Sequence, residues 1–495
     1  MYWINFLHIY QPRGQAKDIF DRVVNESYRP LIKGLKENKS LKLNLNINAC
    51  LTERLFKDGY QDVVSGLKFL AQRGQVEFTD SAAYHAFLPL LPETEIKRQI
   101  NLNREINRKY FGKIYNPSVF FSPEMAYNKK IARIVKNLGY QWLILDEIAY
   151  NGKLNQASWF CFYEIEETPG LKVLFKNRRI SNLLSNALTR NIGSFKKEIG
   201  PIVKEDAYLL TAMDGETFGH HRPGLEKFLF QVLSAKAWKH LFISEALKHF
   251  QSGGKISPLD STWTIEEEDL KEKKPYKLWH SADNPLQKLQ WQFSYFVIKT
   301  VESLNHKTVD YQRARRKLDQ SLESCQYWWA SLYWWSLEMI EASSYNLRQI
   351  IFNLKTSTSF KKKAEKFYRQ VLDLAFKWQR TGLVREFHKQ EKKWQAVPFK
   401  ERTNPEWYNQ MILEFEAEMR RAAKDEEYER AIKWRDAIIK LKSGADVYDV
   451  LHVVNELWTV RRIPSCKPFL KYKKFSRFAK EYFLPFNYKP KYWKK

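Results

Sequence analysis

Acidic and imidazole side chains are concentrated in one stretch of the chain, LTAMDGETFGHHRPG at residues 210–224. It places Asp214, Glu216, His220 and His221 directly behind a short apolar run. Residues two apart on an extended strand share a face, so Asp214 and Glu216 are expected to lie side by side. A neighbouring carboxylate raises the cost of ionisation, which is how a carboxyl group keeps its proton near neutral pH. The stretch therefore has the composition of an acid/base site.

Polar residues also stand where other short β-rich runs end. They are His8, Asp80, Glu124 and Asp146. In barrels of alternating strands and helices, the loops after the strands bring such side chains together at one mouth. The alternative for each acid is that it caps the helix that follows.

Seven β-rich runs in the first half of the chain are predicted as strands. They are Tyr2–Ile9, Leu43–Ala49, Gln75–Thr79, Ser118–Ser122, Gln141–Leu145, Leu171–Phe175 and Tyr208–Met213. Helical patterns lie between many of them, such as the one that begins after Pro92 and ends at Gly112. Strands that alternate with helices favour a parallel sheet, closed or nearly closed into a barrel. From about residue 285 apolar residues recur at three- and four-residue spacing, which predicts packed helices.

The composition is that of a folded, aromatic-rich and basic protein. The 495 residues include 17 Trp, 26 Tyr and 32 Phe and carry a formal net charge of +27. The four cysteines are far apart and form no metal or disulfide pattern. The first residues lack a basic stretch with a cleavage site, and no run reaches the ~18 apolar residues of a spanning helix. We therefore expect a cytoplasmic protein without a transmembrane segment.

Five motifs resemble, in order, the sequence regions of glycoside hydrolase family 57. They are LHIYQP (7–12), GQVEFTDSAAYHAFLPLLP (74–92), FFSPEMAYN (120–128), MDGETFGHHRPG (213–224) and the aromatic SCQYWWASLYWW (324–335), which looks like the family's aromatic helical region. The resemblance covers roughly residues 1–350. It implies a (β/α)7-type barrel followed by helices that complete the cleft, and retaining chemistry on α-glucans by hydrolysis, transglycosylation or branching. It implies no cofactor.

The resemblance assigns the nucleophile to Glu124 and the general acid/base to Asp214. A retaining glycosidase needs one ionised carboxylate that attacks the anomeric carbon and one protonated carboxyl for the leaving oxygen, about 5–5.5 Å apart. Glu124 follows Pro123 at a strand end, where the backbone is stiff. We therefore expect these two carboxyl groups to meet across one sugar-sized gap.

Further polar and aromatic residues are candidates for substrate binding. His8, Gln11, His85, Glu216, His220 and His221 are the candidates for contacts with sugar hydroxyls. Trp142, Trp263, Trp328 and Trp329 are the candidates for stacking on pyranose rings. The alternative is that the histidines are structural and the tryptophans belong to the core.

A catalytic metal is not expected. Zinc-dependent α-mannosidases with similar barrels use a His-x-His pair at the end of the first strand, and here Tyr10 follows His8 in HIYQP. One imidazole is missing, so the site would be short of ligands. The same departure weakens the rival interpretation as a metal-dependent polysaccharide deacetylase.

The C-terminal part carries two separate signals. Residues 415–441 resemble the UVR motif of the UvrB and UvrC repair proteins, with one apolar stripe of Phe415, Met419 and Ala422 and another of Tyr428, Ala431, Arg435 and Ile438. Such a hairpin predicts self-association or a protein partner through residues 412–442; the alternative is an ordinary hairpin of the bundle. Residues 461–495 carry 12 Lys and Arg against one Glu, interleaved with aromatic residues. They suit nucleic acid, an anionic membrane surface, or simple packing on the barrel.

The sequence thus predicts an α/β chain of four parts: a barrel over residues 1–285, a helical domain over 286–400, a UVR-like hairpin over 401–443 and a basic aromatic tail over 444–495. The first functional hypothesis is a retaining hydrolase or glucanotransferase acting on α-glucans or maltooligosaccharides. The second is a non-catalytic scaffold that uses the hairpin and the tail to recruit partners, possibly in nucleic-acid metabolism. Because both catalytic carboxyls are present, the enzyme is favoured.

Overall fold

The computed structural model describes residues 1–187, 189, 191–387 and 405–443. These residues belong to two compact units. The first comprises residues 1–178, 206–221 and 238–387, and the second includes residues 179–205 and 222–237 and the described residues from 405 onward. The basic segment 461–495 lies outside the described residues.

The first unit is built on parallel strands. In chain order the strands are β1 (Tyr2–Ile9), β2 (Leu43–Ile47), β3 (Val76–Thr79), β4 (Val119–Phe120), β5 (Trp142–Asp146), β6 (Cys161–Ile165), β7 (Lys172–Lys176), β8 (Tyr208–Asp214), β9 (Lys239–His240), β10 (Gln251–Ile256), β11 (Ala330–Ser331) and β12 (Trp334–Trp335). The seven runs predicted from the sequence coincide with β1–β5, β7 and β8, which confirms the predicted barrel strands.

These seven strands close into a barrel. Strand β1 pairs in parallel with both β2 and β8, β2 pairs with β3, and β5 pairs with β4 and β7. A parallel bridge between Asp80 and Phe120 joins β3 to β4. On the other side, the Asn177 N–H donates to the Leu210 carbonyl at 2.8 Å and joins β7 to β8. The described chain therefore contains the expected (β/α)7-type barrel, with β6 and β10 as an added pair beside β7.

Helices alternate with the strands along the chain and continue after the last barrel strand. They are α1 (Lys17–Val23), α2 (Arg29–Glu37), α3 (Ala49–Lys57), α4 (Gln61–Gln72), α5 (Glu93–Phe111), α6 (Lys129–Asn137), α7 (Arg178–Ser185), α8 (Ile192–Ile199), α9 (Leu225–Leu233), α10 (Glu267–Lys271), α11 (Pro285–Glu302), α12 (Val309–Ser321), α13 (Cys325–Trp328), α14 (Leu337–Phe352) and α15 (Thr358–Arg380). A π-helical turn, Val24–Tyr28, joins α1 to α2. None of the described helices is long and apolar enough to cross a membrane.

A buried ion network ties the helical region to the barrel. The Arg315 guanidinium of α12 donates to both carboxylate oxygens of Glu95 on α5 at 2.7 Å. It also contacts Glu302 at 2.8 Å and Asp319 at 3.0 Å. Arg98 of α5 in turn makes two 2.7 Å bonds to Asp319. Two helices far apart in sequence are thus fixed by paired charges.

The aromatic stretch 324–335, which resembles the aromatic helical region of the family, is only partly helical. The short helix α13 ends at Trp328, and β11 and β12 then form an antiparallel turn. Ser331 donates to the Trp328 carbonyl at 2.8 Å and accepts from the Trp334 N–H at 3.3 Å. A serine hydroxyl that satisfies backbone groups locally competes with helix formation, which accounts for the break.

The described residues 405–443 of the second unit form a helical hairpin of α16 (Pro405–Lys424) and α17 (Tyr428–Lys442). Phe415 of α16 packs edge-on against Trp434 of α17, with ring centroids 5.2 Å apart. Of the stripe expected on the second helix, Tyr428 and Arg435 are exposed and Ile438 is buried within the hairpin. The buried residues of α17 are Trp434, Ala437, Ile438 and Leu441. Burial of the stripe against a partner stays a prediction.

Candidate active site

The interior of the barrel is polar at the carboxyl ends of the strands and apolar below. Alternate residues of a strand face the same side, and on β1 the residues Ile4 and Phe6 enter the buried core cluster while His8 follows in the same alternation. The strand register places His8 opposite Asp214 of β8 and, on the other side, opposite Asn46 of β2. Polar side chains therefore form the last layer of the barrel interior.

The same layer continues on the opposite wall. Asp146 and Lys176 occupy paired register positions on β5 and β7. Both are the last residues of their strands, and both are buried. The layer thus contains a lysine as well as carboxyl groups and an imidazole.

Glu124 enters the site from the turn after β4. Its φ is +63° and that of Met125 is +48°, a region that non-glycine residues seldom adopt and that costs about 1–3 kcal/mol per residue. The surrounding structure holds this conformation, because the Met125 N–H donates to the Ser122 carbonyl at 2.8 Å and the Trp263 N–H donates to the Glu124 carbonyl at 3.1 Å. The indole N–H of Trp263 also donates to Glu124 Oε2 at 2.9 Å. Backbone strain held in this way is characteristic of functional positions.

The Glu124 and Asp214 carboxyls are electrostatically coupled. Burial and the charge of Asp214 raise the pKa of Glu124 to about 8. Burial raises the pKa of Asp214 to about 6, against the positive charge of Lys176, which lowers it. Like charges at close quarters cannot both ionise easily, so the pair holds one proton near neutral pH. Burial, rather than the expected charge of Glu216, is what raises the pKa of Asp214.

Two buried histidines line the site as neutral groups. Burial lowers the pKa of His8 to about 4, and burial together with the nearby His8 lowers the pKa of His85 well below its usual value. His8 Nδ1 lies 2.8 Å from Asn46 Oδ1, and the two Nε2 atoms are 3.1 Å apart. An acceptor at Nδ1 makes that nitrogen of His8 the donor, so the His85 Nε2–H donates to His8. The chain of bonds fixes both tautomers.

The helical region adds residues to this wall of the barrel. The Ser324 hydroxyl lies 2.9 Å from His85 Nδ1, and the Ser324 N–H donates to the His85 carbonyl at 3.0 Å. Tyr10 stacks on the His85 ring with centroids 4.1 Å apart. Its hydroxyl lies 3.5 Å from Glu323 Oε2, and burial raises the pKa of Glu323 to about 7. A buried carboxyl group of the helical region therefore contacts Tyr10, which stacks on His85.

These residues can do acid/base and nucleophilic chemistry on a neutral substrate. One proton shared by two carboxyls supplies both an acid and a carboxylate nucleophile. Among the described residues, no group of three or more His, Cys, Asp or Glu side chains is arranged to hold a metal ion.

Comparison with known sequences decides the family. A sequence model of glycosyl hydrolase family 57 matches residues 3–257, and one of the UvrB/UvrC motif matches residues 409–444. This chain belongs to glycosyl hydrolase family 57. The sequence-based recognition of both segments is confirmed.

One curated sequence and two crystal structures illustrate the similarity of this chain to other proteins. Alpha-amylase 1 of Dictyoglomus thermophilum is 24% identical over 247 residues, which is 49% of this chain and 34% of the relative. The crystal structure of the 4-alpha-glucanotransferase of Thermococcus litoralis has a TM-score of 0.59 and 20% identity, over 72% of this chain and 59% of that one. The GH57-type branching enzyme of Pyrococcus horikoshii also has a TM-score of 0.59, with 16% identity over 74% of this chain and 94% of that one. At identities of 20% and 16%, the similarity to these two structures shows the fold of this chain and nothing more.

The match to family 57 relatives is partial. The chain spans between 34% and 54% of the length of the curated relatives it matches. What the whole protein acts on is therefore a matter for a proposal.

Several residues that are predicted to bind sugar hydroxyls form hydrogen bonds with other protein groups of this family 57 site, and their role in substrate binding stays a prediction. Glu216 accepts from the Tyr28 hydroxyl and, at 3.0 Å, from the Tyr10 N–H. Gln11 hydrogen-bonds to Tyr28. Both nitrogens of His8 and of His85 are engaged by protein groups. These side chains hold the loops after β1 and β8 in place.

The histidines after β8 differ from one another. His220 Nδ1 pairs with Glu26 Oε2 at 2.6 Å, which fixes the loop to the π-helical turn. His221 is exposed, and its N–H donates to the Glu216 carbonyl at 2.9 Å. Both remain predictions as sugar ligands.

The four tryptophans predicted to stack on sugar rings lie in different environments. Trp142 is the first residue of β5, at the amino end of the barrel, and is 1% exposed, so it is a core residue and cannot stack on a sugar at the mouth. Trp263 is half-buried and bonded to Glu124. Trp328 and Trp329 are half-buried, and Trp328 stacks on the exposed Trp334 with centroids 4.8 Å apart.

Two of the acids at strand ends, Asp80 and Asp146, are bound by other side chains of the protein. Asp80 is fully buried and accepts from Asn103 at 2.6 Å, from the Tyr115 hydroxyl at 3.1 Å and from the Tyr140 hydroxyl. Asp146 is held by the Arg178 guanidinium through Nε at 2.9 Å and Nη2 at 2.7 Å. Asp80 therefore does not face the mouth.

Sequence reasoning missed Lys176, Ser324 and Glu323. The sequence contains a signal for Lys176, because this residue directly follows the predicted strand 171–175. Asp80 and Asp146 stand at the same position, directly after other predicted strands. Ser324 and Glu323 gave no comparable signal, since their approach to His85 depends on the path of the helical region.

Proposed function

We propose that this chain is a retaining enzyme that acts on α-glucans, as a hydrolase or a glucanotransferase, with Glu124 as nucleophile and Asp214 as acid/base. The observation that carries the proposal is the coupled carboxyl pair on a strained, buried scaffold at the mouth of the barrel. The printed names of the family 57 relatives, alpha-amylase and 4-alpha-glucanotransferase, support this class of substrate.

The proposed reaction has two steps. Glu124 attacks the anomeric carbon while Asp214 gives its proton to the departing glycosidic oxygen, which leaves a glycosyl ester on Glu124. Asp214, now ionised, removes a proton from water or from a hydroxyl of a second glucan, whose oxygen displaces Glu124. Water as acceptor gives hydrolysis and a sugar hydroxyl gives transfer.

The proton must reside on Asp214 when the substrate is in place. In the structure the higher pKa of the pair belongs to Glu124. Positive charge that develops at the anomeric carbon favours the ionised form of Glu124. The shared proton is therefore transferred towards Asp214 as the transition state forms.

The test is product formation from maltooligosaccharides, followed by the release of reducing ends and by the change in chain length. Glu124→Gln and Asp214→Asn are each expected to lower the rate on the order of 10³-fold or more. Glu105→Gln, an exposed carboxyl of α5, is the matched control and is expected to act like the parent. Parental activity in the Glu124→Gln protein would refute the assignment.

A second proposal concerns the hairpin: it associates with a second copy of this chain. Leu413, Tyr428, Ile432 and Ile439 are exposed apolar side chains of α16 and α17. Sedimentation of the full chain is expected to show a dimer that Ile432→Glu together with Ile439→Glu dissociates. A wild-type chain that sediments as a monomer at micromolar concentration would contradict this.

We propose a cytoplasmic location on the basis of the cysteines. Cys50, Cys161 and Cys325 are free thiols in the described part of the chain. Reduced thiols are typical of the cytosol.

A further inference from the structure

Lys176 is a buried cation that the proposed mechanism has not yet used. It is the last residue of β7, lies in the same layer as Asp146 and Asp214, and is 5% exposed. Removing an ammonium group from water is costly unless its donors find partners. The environment of this side chain therefore calls for a physical explanation.

The nearest acid does not satisfy it. Asp146 Oδ2 is 3.7 Å from Lys176 Nζ, which is beyond hydrogen-bond distance. Arg178 holds the other oxygen of Asp146, Oδ1, at 2.9 Å and 2.7 Å, and Oδ2 has no closer partner among the described residues. Within the described chain, no hydrogen bond of 3.5 Å or less is made by the Lys176 ammonium. An ammonium has three donors, so this single long contact with one carboxylate oxygen leaves it able to donate to a further acceptor.

The position of Lys176 links it to both carboxyls. Its ammonium lies 5.0 Å from the ring centroid of Trp263, and the same indole donates to Glu124 at 2.9 Å. Its charge also acts on Asp214, whose pKa it lowers. The charged groups that face Lys176 are Asp146 of β5, Arg178 at the start of α7 and Asp214 of β8.

We propose that Lys176 is a substrate-contacting residue, whose ammonium donates a hydrogen bond to a hydroxyl of the glucosyl unit held between Glu124 and Asp214. The inference rests on the proposed function, since it deepens the description of the same site. Sugar hydroxyls accept hydrogen bonds and carry no charge, so they can satisfy the ammonium without neutralising it. The contact fixes the sugar ring relative to both carboxyls and to the face of Trp263.

The charge of Lys176 has a second consequence, for the proton of Asp214. A neighbouring ammonium favours the ionised carboxylate. Loss of this charge raises the pKa of Asp214, so the proposed acid stays protonated to higher pH. Asp214 has the lower pKa of the pair, about 6, so the acidic limb of the activity profile is expected to move to higher pH when Lys176 becomes neutral.

The contact between Lys176 and the sugar is tested by calorimetry of maltooligosaccharide binding. The measurement uses the full-length Glu124→Gln protein, which is expected not to turn the ligand over. Adding Lys176→Met is expected to weaken binding about ten-fold to a hundred-fold, the range for a hydrogen bond from a charged donor. Lys176→Gln keeps a neutral donor and is expected to bind with an intermediate affinity. In the otherwise native enzyme, both substitutions are expected to move the acidic limb to higher pH.

Lys172→Met is the matched control. Lys172 lies on the same strand and its ammonium is also above an indole, 5.8 Å from the centroid of Trp142, but at the amino end of the barrel. It is expected to leave both binding and the pH profile unchanged. Thermal unfolding of each variant checks the fold, and Lys176→Gln carries the test if Lys176→Met does not fold.

The outcomes separate the two proposals. Binding to the Glu124→Gln protein that Lys176→Met leaves unchanged overturns the role of Lys176 and leaves the proposed function standing. A Glu124→Gln protein and a native protein that both fail to bind maltooligosaccharides overturn the proposed function, and with it the contact. Weaker binding in Lys176→Met with parental binding in Lys172→Met supports both.

Discussion

Trp263 and Glu124 are joined twice: the indole N–H of Trp263 donates to Glu124 Oε2 at 2.9 Å, and its backbone N–H donates to the Glu124 carbonyl at 3.1 Å. The first bond lowers the pKa of Glu124 against the effect of burial. Trp263→Phe removes that bond and keeps an aromatic ring. We expect kcat to fall about ten-fold to a hundred-fold, because a hydrogen bond to a charged group contributes about 1.5–3 kcal/mol. Trp159→Phe, a half-buried tryptophan elsewhere in the unit, is the control.

The coupled carboxyls predict a bell-shaped dependence of kcat/KM on pH. The pKa values of about 6 for Asp214 and about 8 for Glu124 mean that the pair holds one proton between these limits. Below about pH 6 both groups are protonated and the nucleophile is lost, and above about pH 8 both are ionised and the acid is lost. Initial rates from pH 4 to pH 10 measure this, and a profile with one limb would speak against a shared proton.

The roles within the pair can be separated by azide rescue. With Glu124→Ala, azide attacks the anomeric carbon from the face that the nucleophile occupied, and an α-glucan is expected to give a β-glucosyl azide. With Asp214→Ala, azide attacks the glycosyl ester on Glu124, and the product is expected to be the α-glucosyl azide. NMR of the products identifies the anomer. The opposite pair of anomers would exchange the two roles.

The barrel was predictable because its signals are local and repeated. Each predicted strand is a short apolar run, and burial on both faces of a parallel strand produces that pattern. The proposed catalytic pair stood out because Glu124 and Asp214 follow two of these predicted strands. The helical patterns around the barrel were equally local, as α5 shows by filling the segment between Pro92 and Gly112.

The remaining features depend on contacts between distant segments. The sequence does not show that Tyr28 would bind Glu216 or that Asp80 would face Asn103 and Tyr140 rather than the mouth. The break after α13 depends on the hydroxyl of Ser331. Lys176 could have been found by extending the rule for strand ends from acids to all polar residues.

The proposed nucleophile is expected to lower the stability of the protein at alkaline pH. The pKa of Glu124 is raised from its ordinary value of 4.5 to about 8, so the folded state binds this proton more tightly than the unfolded chain does. This contribution to stability is fully present below about pH 4.5 and is lost as the pH rises through about 8. Glu124→Gln cannot ionise, so its free energy of unfolding is expected to exceed that of the wild type increasingly from pH 5 to pH 9, by up to about 1.4 kcal/mol for each unit of pKa shift. Urea unfolding at several pH values measures the difference, with Glu105→Gln as the control, and a difference that is independent of pH would contradict the raised pKa.

The Arg315 network is expected to govern the attachment of the helical region to the barrel. The guanidinium is 2% exposed and bonded to Glu95, Glu302 and Asp319. Arg315→Met leaves the buried Glu95 carboxylate without its partner, while Asp319 keeps its bonds to Arg98. Breaking a buried ion pair in this way costs about 3–5 kcal/mol. The comparison is Lys33→Met, which removes an exposed pair with Glu37 at 4.0 Å and is expected to cost under about 1 kcal/mol. Because Ser324 and Glu323 follow α12 directly, Arg315→Met is also expected to lower activity at temperatures well below its unfolding transition. Thermal unfolding and kcat/KM, measured together on both variants, test this, and an Arg315→Met protein as stable as Lys33→Met would show that the network is dispensable.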